Sequence, residues 1–503
     1  MKTYMIGVDI GTTAVKAVLF EKNGKLVDKV SVEYKLHTPD AAIAELDPDE
    51  VAAGMFAAVS QVTERNACRN DVAFISFSSA MHSIILLDED GERLTDCITW
   101  ADSRGQEYAE QLNRQDGMAI YRRTGTPIHP MNPFVKLLHL RDKSRELYIQ
   151  IGKVTGIKSY VMQKLTGVYE VDRSIASSTG MMNLQESEWD AEVLDMLNLS
   201  RAHLPELVDT LKVYDGMKTD AAEKLGIDAE TKLVIGASDG VLANLGMNAT
   251  ENGDVAVSIG TSGAIRTVVD TPKTDDRMRT FCYYLTGDRY VIGGPVNNGG
   301  VVLRWVRDEF FDTDGKAEDA DPYETITKLA AEAPAGSNGL IFHPYLSGER
   351  APVWDSKAVG SFYGLTLSHG RKHMIRAAME GVLFNLYSVF LTLRKHMDEA
   401  GTIKASGGFA RSEIWKQMMA DIYGEKVEVP KAYESSAFGA CVLGLYALGE
   451  IEDLDAVKHF VGEEDTYYPT QDTYLKYQEV MSVYIELGRS LAQFYDRIES
   501  LRD

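Results

Sequence analysis

Ile6-Gly7-Val8-Asp9-Ile10-Gly11-Thr12-Thr13, near the start of the chain, lines up with Val255-Ala256-Val257-Ser258-Ile259-Gly260-Thr261-Ser262 near its middle. The two copies lie 249 residues apart, about half of the 503-residue chain. Each is an apolar strand, then Gly-Thr, then a second alternating segment, Ala14 to Phe20 in one copy and Ala264 to Val269 in the other. That order predicts a strand, a tight glycine turn and a returning strand. A repeat at half-chain spacing predicts two lobes that open on the same hairpin. Length agrees, because a chain of this size exceeds one ordinary core. The expected lobes are 1–248 and 249–503.

Outward from the first copy, Asn23-Gly24 is the residue pair favoured in a type I′ hairpin turn and leads into a strand over Lys25 to Tyr34. Asp47-Pro48 supplies an N-cap and first-turn pair, and Val51, Met55, Val59 and Val62 follow at helical spacing. Val72 to Phe77, Ile84 to Leu87 and Leu233 to Ile235 read as buried strands. Met374 to Met397 reads as one long helix with an apolar face, and Asp312 to Tyr323 as an acidic surface loop or linker. The fold class is therefore mixed α/β.

Composition restricts the partners. Seventy-five acidic residues against 52 basic ones give a formal net charge of -23, which repels nucleic acid and anionic membrane alike. The four cysteines, Cys68, Cys97, Cys282 and Cys441, form no C-x-x-C pair and read as free thiols of a reducing cytosol. The N-terminus lacks the pattern of a signal peptide, and no later run is expected to reach the ~20 apolar residues that span a bilayer. A cytoplasmic protein is expected. The oligomeric state stays open, a homodimer included.

The Gly-Thr turns are candidate phosphate cradles, since glycine lets turn amides and neighbouring hydroxyls converge on an anion. Asp9 ends the first strand, where a carboxylate can hold Mg²⁺ directly or through water. Singly, a Gly-Thr pair is an ordinary turn and a strand-end Asp an ordinary cap; their pairing across the repeat favours the functional reading. No G-x-x-x-x-G-K-[ST] and no strand-linked G-x-G-x-x-G occurs, so a P-loop enzyme or a dinucleotide dehydrogenase has no support.

Several blocks in order resemble the FGGY carbohydrate kinases. Gly7 to Thr13 with Lys16 is similar to the family's first phosphate motif, and Ser258 to Gly263 to its second. Ser406-Gly407-Gly408-Phe409-Ala410-Arg411-Ser412 resembles its adenosine motif, and Glu434 to Ala440 the segment completing the adenine pocket. Leu346 to Pro352 resembles its Gly-Glu-Arg loop, and Met131 to Leu137 the start of a signature that usually continues to tryptophan where this chain has His139. The resemblance implies two actin-like, ribonuclease H-like ATPase lobes of the actin, Hsp70 and hexokinase superfamily with a cleft between them. It implies ATP and Mg²⁺ as cofactors, with phosphates on Gly11, Thr12, Thr13, Lys16, Gly260, Thr261 and Ser262. Adenosine falls to Gly407, Gly408 and Ser412, and the metal to Asp9.

Asp239, after the strand Leu233 to Ile235, is by itself more often a helix cap than a catalyst. Its context resembles the family's catalytic base, which would take the acceptor hydroxyl's proton as that oxygen attacks the γ-phosphorus. By resemblance the acceptor pocket holds Met81, His82, Ser83, Trp100, Asp102, Arg104 and Asp172 along with Asp239. Ala80-Met81-His82-Ser83 is similar to the gluconate kinases of the family, whereas its xylulose kinases carry Met-His-Gly. The expected reaction is phosphorylation of D-gluconate at its terminal hydroxyl, with His82, Ser83 and Arg104 as donors to the acid; Arg104 held instead by Asp102 is the other reading. Xylulose or another sugar or polyol is the alternative acceptor. An actin- or chaperone-like ATPase would need neither the Trp100 to Arg104 segment nor Asp239, and intact Asp9 and Asp239 argue against a non-catalytic sugar sensor.

Overall fold

The computed structural model describes residues 3–310, 322–397, 401–430, 434–462 and 464–501. Most of the expected loop Asp312 to Tyr323 lies outside the described residues. The chain forms two compact units that interleave along the sequence. The first comprises Met1–Thr250, Val269–Val291 and Glu434–Val461; the second comprises Glu251–Val268, Ile292–Tyr433 and Gly462–Asp503.

A six-stranded sheet centres the first unit, in the order Val213–Tyr214, Lys232–Ser238, Val72–Ser79, Tyr4–Ile10, Ala14–Glu21, Leu26–Glu33. The middle three strands are parallel and the flanking pairs antiparallel. Alternation sorts the side chains between two covered faces. Ile6, Val8 and Ile10 pack with Val51, Met55, Val59 and Val62 of the helix Pro48–Arg65. Met5 on the opposite face joins Val18, Phe74 and Val234 under Ala437, Cys441 and Leu445 of the helix Ser435–Ala447. Asp47 caps the former helix, its carboxylate accepting from the Asp49 N–H at 2.8 Å.

The helix Ser435–Ala447 also meets the helix Asp239–Gly246 with almost no spacing. A Cβ at Gly439 would lie 2.0 Å from the Leu242 carbonyl oxygen, and one at Gly246 1.9 Å from that of Ser435. Only hydrogen fits at either place.

The turn after Ala14–Glu21 differs from expectation. Gly24 has φ +88° while Asn23 stays out of the left-handed region, and the Gly24 N–H donates to Glu21 O at 2.9 Å. A type I′ turn requires both central residues left-handed, so this is instead a turn closed by a single left-handed glycine. The Asn23 side chain accepts from the Lys25 N–H, which satisfies the loop without inverting Asn23.

In the second unit, Val255–Ile259 pairs antiparallel with Gly263–Val269 and parallel with Ile403–Ser406, which continues through Val427–Pro430 to Glu464–Tyr467. Each unit therefore has the same plan of a hairpin followed by parallel strands, as the repeat predicts. The helix Arg371–Leu393 is long and apolar enough to cross a membrane by length and composition, against the expectation that no such run exists. Its surroundings explain the composition: it is a core helix whose Arg376 and Glu380 are both buried and paired at 2.8 Å.

Candidate functional site

In the first unit the parallel strands end side by side, Ile10 opposite Ser79 and Ser238 opposite Ser79 on its other side. Asp9, the Gly11 turn, Met81-His82-Ser83 and Asp239 therefore share one carboxyl edge, where open α/β sheets collect their ligands. Asp239 opens its helix partly buried, with Oδ1 accepting from the Gly240 N–H at 2.6 Å.

Asp9 is held by two hydroxyls, Ser78 at 2.9 Å and Ser436 at 3.0 Å. Burial raises its pKa above the ordinary carboxylate value, opposed by those hydroxyls and by Lys16. Lys16, expected on phosphate, lies 3.2 Å from Glu434, which Lys29 also reaches at 2.8 Å. Glu434 consequently stays below its usual pKa despite burial. The segment from Glu434 thus lies against the first phosphate turn. The Gly11 N–H donates to Ala14 O at 3.0 Å, and the Tyr34 hydroxyl donates to Gly11 O. Thr12 accepts from the Trp100 indole N–H at 2.9 Å, which joins the turn to the expected acceptor segment. Thr13 is exposed beside it.

Three expected acceptor contacts are turned inward. Arg104 is gripped by Asp102, at 2.9 Å from Nε and 2.7 Å from Nη2, and by Glu45. Two carboxylates already neutralise it, so the reading in which Asp102 holds it is the one observed. Ser83 Oγ accepts from the Ile157 N–H at 3.1 Å, filling the place of a cap at a helix whose N-cap is Gly156. Asp172 is fully buried, with Oδ1 on the Ile175 N–H at 2.9 Å and Oδ2 2.8 Å from the Lys158 ammonium. Its carboxylate is committed to the protein interior.

His82 is buried at φ +66°, with Nδ1 2.7 Å from the Ser178 carbonyl. A carbonyl only accepts, so Nδ1 carries the proton. Met81 beside it is half-buried. The sequence reading gave no role to Lys136, which is buried and donates to the His82 and Met131 carbonyls. Burial lowers its pKa to about 7, with Asp102 pulling the other way.

The second unit contains a cavity of about 650 Å³, lined by Gly260 and Thr261 of its turn, Gly408 and Ser412, and Leu303 and Phe409 among others. The second phosphate motif and the adenosine motif thus meet in one mainly apolar chamber of a size suited to a small ligand. Gly260 N–H donates to Ser262 O at 2.9 Å, and Gly300 N–H to Gly260 O at 2.6 Å. Gly407, expected at the adenosine, is not among the lining residues; it has φ +109°, and a Cβ there would lie 2.3 Å from Ile259 O. Ser412 caps the helix Glu413–Tyr423. Glu434 to Ala440, expected at the adenine, belongs to the first unit and is not among the lining residues. Leu303 and Thr327, on helices far away in sequence, line the chamber without any motif to announce them.

Residues 4–246 match the N-terminal domain of the FGGY family of carbohydrate kinases, and residues 255–448 match its C-terminal domain. The chain belongs to the FGGY family of carbohydrate kinases. Over 503 residues it is 49% identical to a gluconokinase of Bacillus subtilis (strain 168), covering 99% of this chain and 98% of that one. Two solved structures from Lactobacillus acidophilus, one titled a gluconate kinase and one a ligand-bound xylulose kinase, each superpose with a TM-score of 0.94 at 40% identity. Each comparison covers 98% of this chain and 99% of the other.

As an FGGY kinase the chain is an enzyme that uses ATP on a carbohydrate, with two actin-like lobes. Asp9 is the residue that would hold a divalent ion. No cluster of three potential metal ligands occurs among the described residues, and Asp9 stands with hydroxyls on both its oxygens. One carboxylate among hydroxyls suits Mg²⁺, which keeps several waters and takes phosphate oxygens as ligands.

Proposed function

We propose that this FGGY kinase transfers the γ-phosphoryl group of MgATP to the terminal hydroxyl of D-gluconate, giving 6-phospho-D-gluconate and ADP. The observation that carries this reading is the 49% identity to a gluconokinase along essentially the whole of both chains. Partial similarity confined to one lobe would support only the shared nucleotide chemistry.

In this reading Asp239 orients the acceptor hydroxyl and takes its proton as the P–O bond forms and the bond to ADP breaks. The backbone bond to Oδ1 fixes the rotation of its carboxylate. The turns Gly11-Thr12-Thr13 and Gly260-Thr261-Ser262 receive phosphates, and Gly407, Gly408 and Ser412 frame the nucleoside. Mg²⁺, when bound, neutralises phosphate charge, with Asp9 as the group that holds it. Lys16 is the nearby cation for phosphate, reaching it by release from Glu434.

Met81, His82 and the loop Trp100 to Arg104 form the acceptor side. Arg104, already neutralised by Asp102 and Glu45, shapes that loop, while His82 lines the same side with its Nδ1 proton given to the Ser178 carbonyl. A cytoplasmic reaction is in keeping with the use of ATP on a free metabolite. The test is ADP release with MgATP and gluconate, xylulose, ribulose or glycerol. Gluconate should give the highest kcat/KM, and a higher value with xylulose would move the chain to the other named relative's substrate.

A further inference from the structure

We propose that Lys158, paired with Asp172, is a positioning residue that fixes the strand end carrying Asp239. The proposal rests on Asp239 as the base. The strand Lys232–Ser238 leaves its regular register with Val72–Ser79 between Val234 and Ala237. Gly236 makes this break possible at φ +70°, where a Cβ would lie 1.9 Å from the Phe77 carbonyl oxygen. A bulge of this kind beside a site re-aims the residues that follow it, and it also removes ladder bonds that would have held them.

Other bonds replace the ladder. Lys158 is 2% exposed on the first turn of the helix Ile157–Thr166, and its ammonium donates to Ala237 O at 3.1 Å. The same ammonium lies 2.8 Å from Asp172. Asp172 caps the short helix Arg173–Ser177, and Ser174 within it accepts from the Ser238 N–H at 3.2 Å and donates to Ser238 Oγ at 3.1 Å. Of the two residues immediately before Asp239, Ala237 is thereby bonded to Lys158 itself and Ser238 to the short helix that Asp172 caps. Ser83, through the Ile157 N–H, ties the acceptor segment to the same helix start.

Energetics favour placement over stability as the role. A buried ion pair contributes little net stability, because desolvation offsets its attraction. Burial pushes the Lys158 pKa down while Asp172, and behind it Asp239, pull it up, so the lysine stands within the field of the proposed base. Displacing a reacting group by about 1 Å can cost about 100-fold in rate.

The experiment compares full-length wild type with Lys158→Met, Ser174→Ala, Asp239→Asn and both double variants in Asp239→Asn, each checked for folding by circular dichroism. The acceptor is whichever member of the panel wild type turns over fastest, so a failed gluconate assignment leaves the test intact. Lys158→Met should lower kcat by about 10–100-fold and Ser174→Ala by about 3–10-fold. KM for acceptor and MgATP should stay within about threefold in both. In the Asp239→Asn background neither substitution should lower kcat further by more than about twofold, since both act through the missing base. Should Lys158→Met fail to fold, Ser174→Ala and its double variant decide the matter. Unchanged kcat in folded Ser174→Ala or Lys158→Met, or an equal loss with and without Asp239, overturns the positioning role. Undiminished kcat in Asp239→Asn alone would instead remove the base on which the proposal stands, and the proposal with it.

Discussion

At Asp239 the carboxylate has one oxygen oriented by the following N–H, which Asn can reproduce in shape but not in basicity. Asp239→Asn is predicted to lower kcat by about 10²–10⁴-fold, the usual value of a general base; steady-state kinetics giving less than about a tenfold loss would remove it from that role. Asp9→Asn should weaken the Mg²⁺ arrangement, lowering kcat about 10–100-fold with nucleotide affinity less affected, and a Mg²⁺ titration should recover part of the loss. Near-normal kcat at ordinary Mg²⁺ would contradict that assignment. Lys136 offers a pH signature. Its pKa is about 7 in the fold against an ordinary 10.5. Between those values the unfolded chain binds the extra proton, so stability from this group rises with pH. Relative to Lys136→Met, wild type should gain up to about 1 kcal/mol per pH unit from pH 7 to 9 in urea unfolding. Parallel pH profiles would contradict the lowered pKa. The placement of Asp9, the turns and Asp239 at strand ends was legible because strand ends and glycine turns are local patterns, whereas the roles proposed for them rest on the family resemblance. Ser83 and Asp172 were read as facing substrate, and Arg104 either so or held by Asp102, yet the partners Ile157, Lys158 and Glu45 lie outside the motifs that were read. Sequence spacing carries no information on which way such a side chain turns.

Elements set the precision of that edge. The helix that begins at Asp239 is pressed against Ser435–Ala447 through Gly246 and Gly439, and a methyl group at either would meet backbone rather than a yielding side chain. Gly439→Ala should destabilise the fold by at least about 1–3 kcal/mol, the usual cost of overpacking. A thermal midpoint equal to wild type would show that the helices separate freely. The element pattern itself was readable: the helix from Pro48 with its Asp47 cap, the long helix read over Met374 to Met397 and found at Arg371–Leu393, and both opening hairpins. The hairpin turn at Asn23-Gly24 was not, because that dipeptide serves equally a turn with one left-handed residue, and the choice rests on loop length.

For the molecule as a whole, the repeat revealed two similar architectures, but the path of the chain between them needed the structure. Glu434–Val461 returns to the first unit, where Ser436 reaches Asp9 and Glu434 meets Lys16. Glu434 to Ala440 was read only as a segment at the adenine; that the helix Ser435–Ala447 covers the first sheet follows from the fit of Ala437, Cys441 and Leu445 onto Met5, Phe74 and Val234. The family assignment accounts for the lobes and the ATP chemistry, and full-length similarity to a gluconokinase supports the acceptor. The most direct test of the account is kcat/KM for MgATP-dependent ADP release, measured in parallel with gluconate, xylulose, ribulose and glycerol. Gluconate should exceed each neutral acceptor by at least about tenfold, with 6-phosphogluconate as product, since a pocket built for polar contacts rejects ligands that leave them unmade. A higher kcat/KM for xylulose, or ADP release at the same rate without any acceptor, would contradict it.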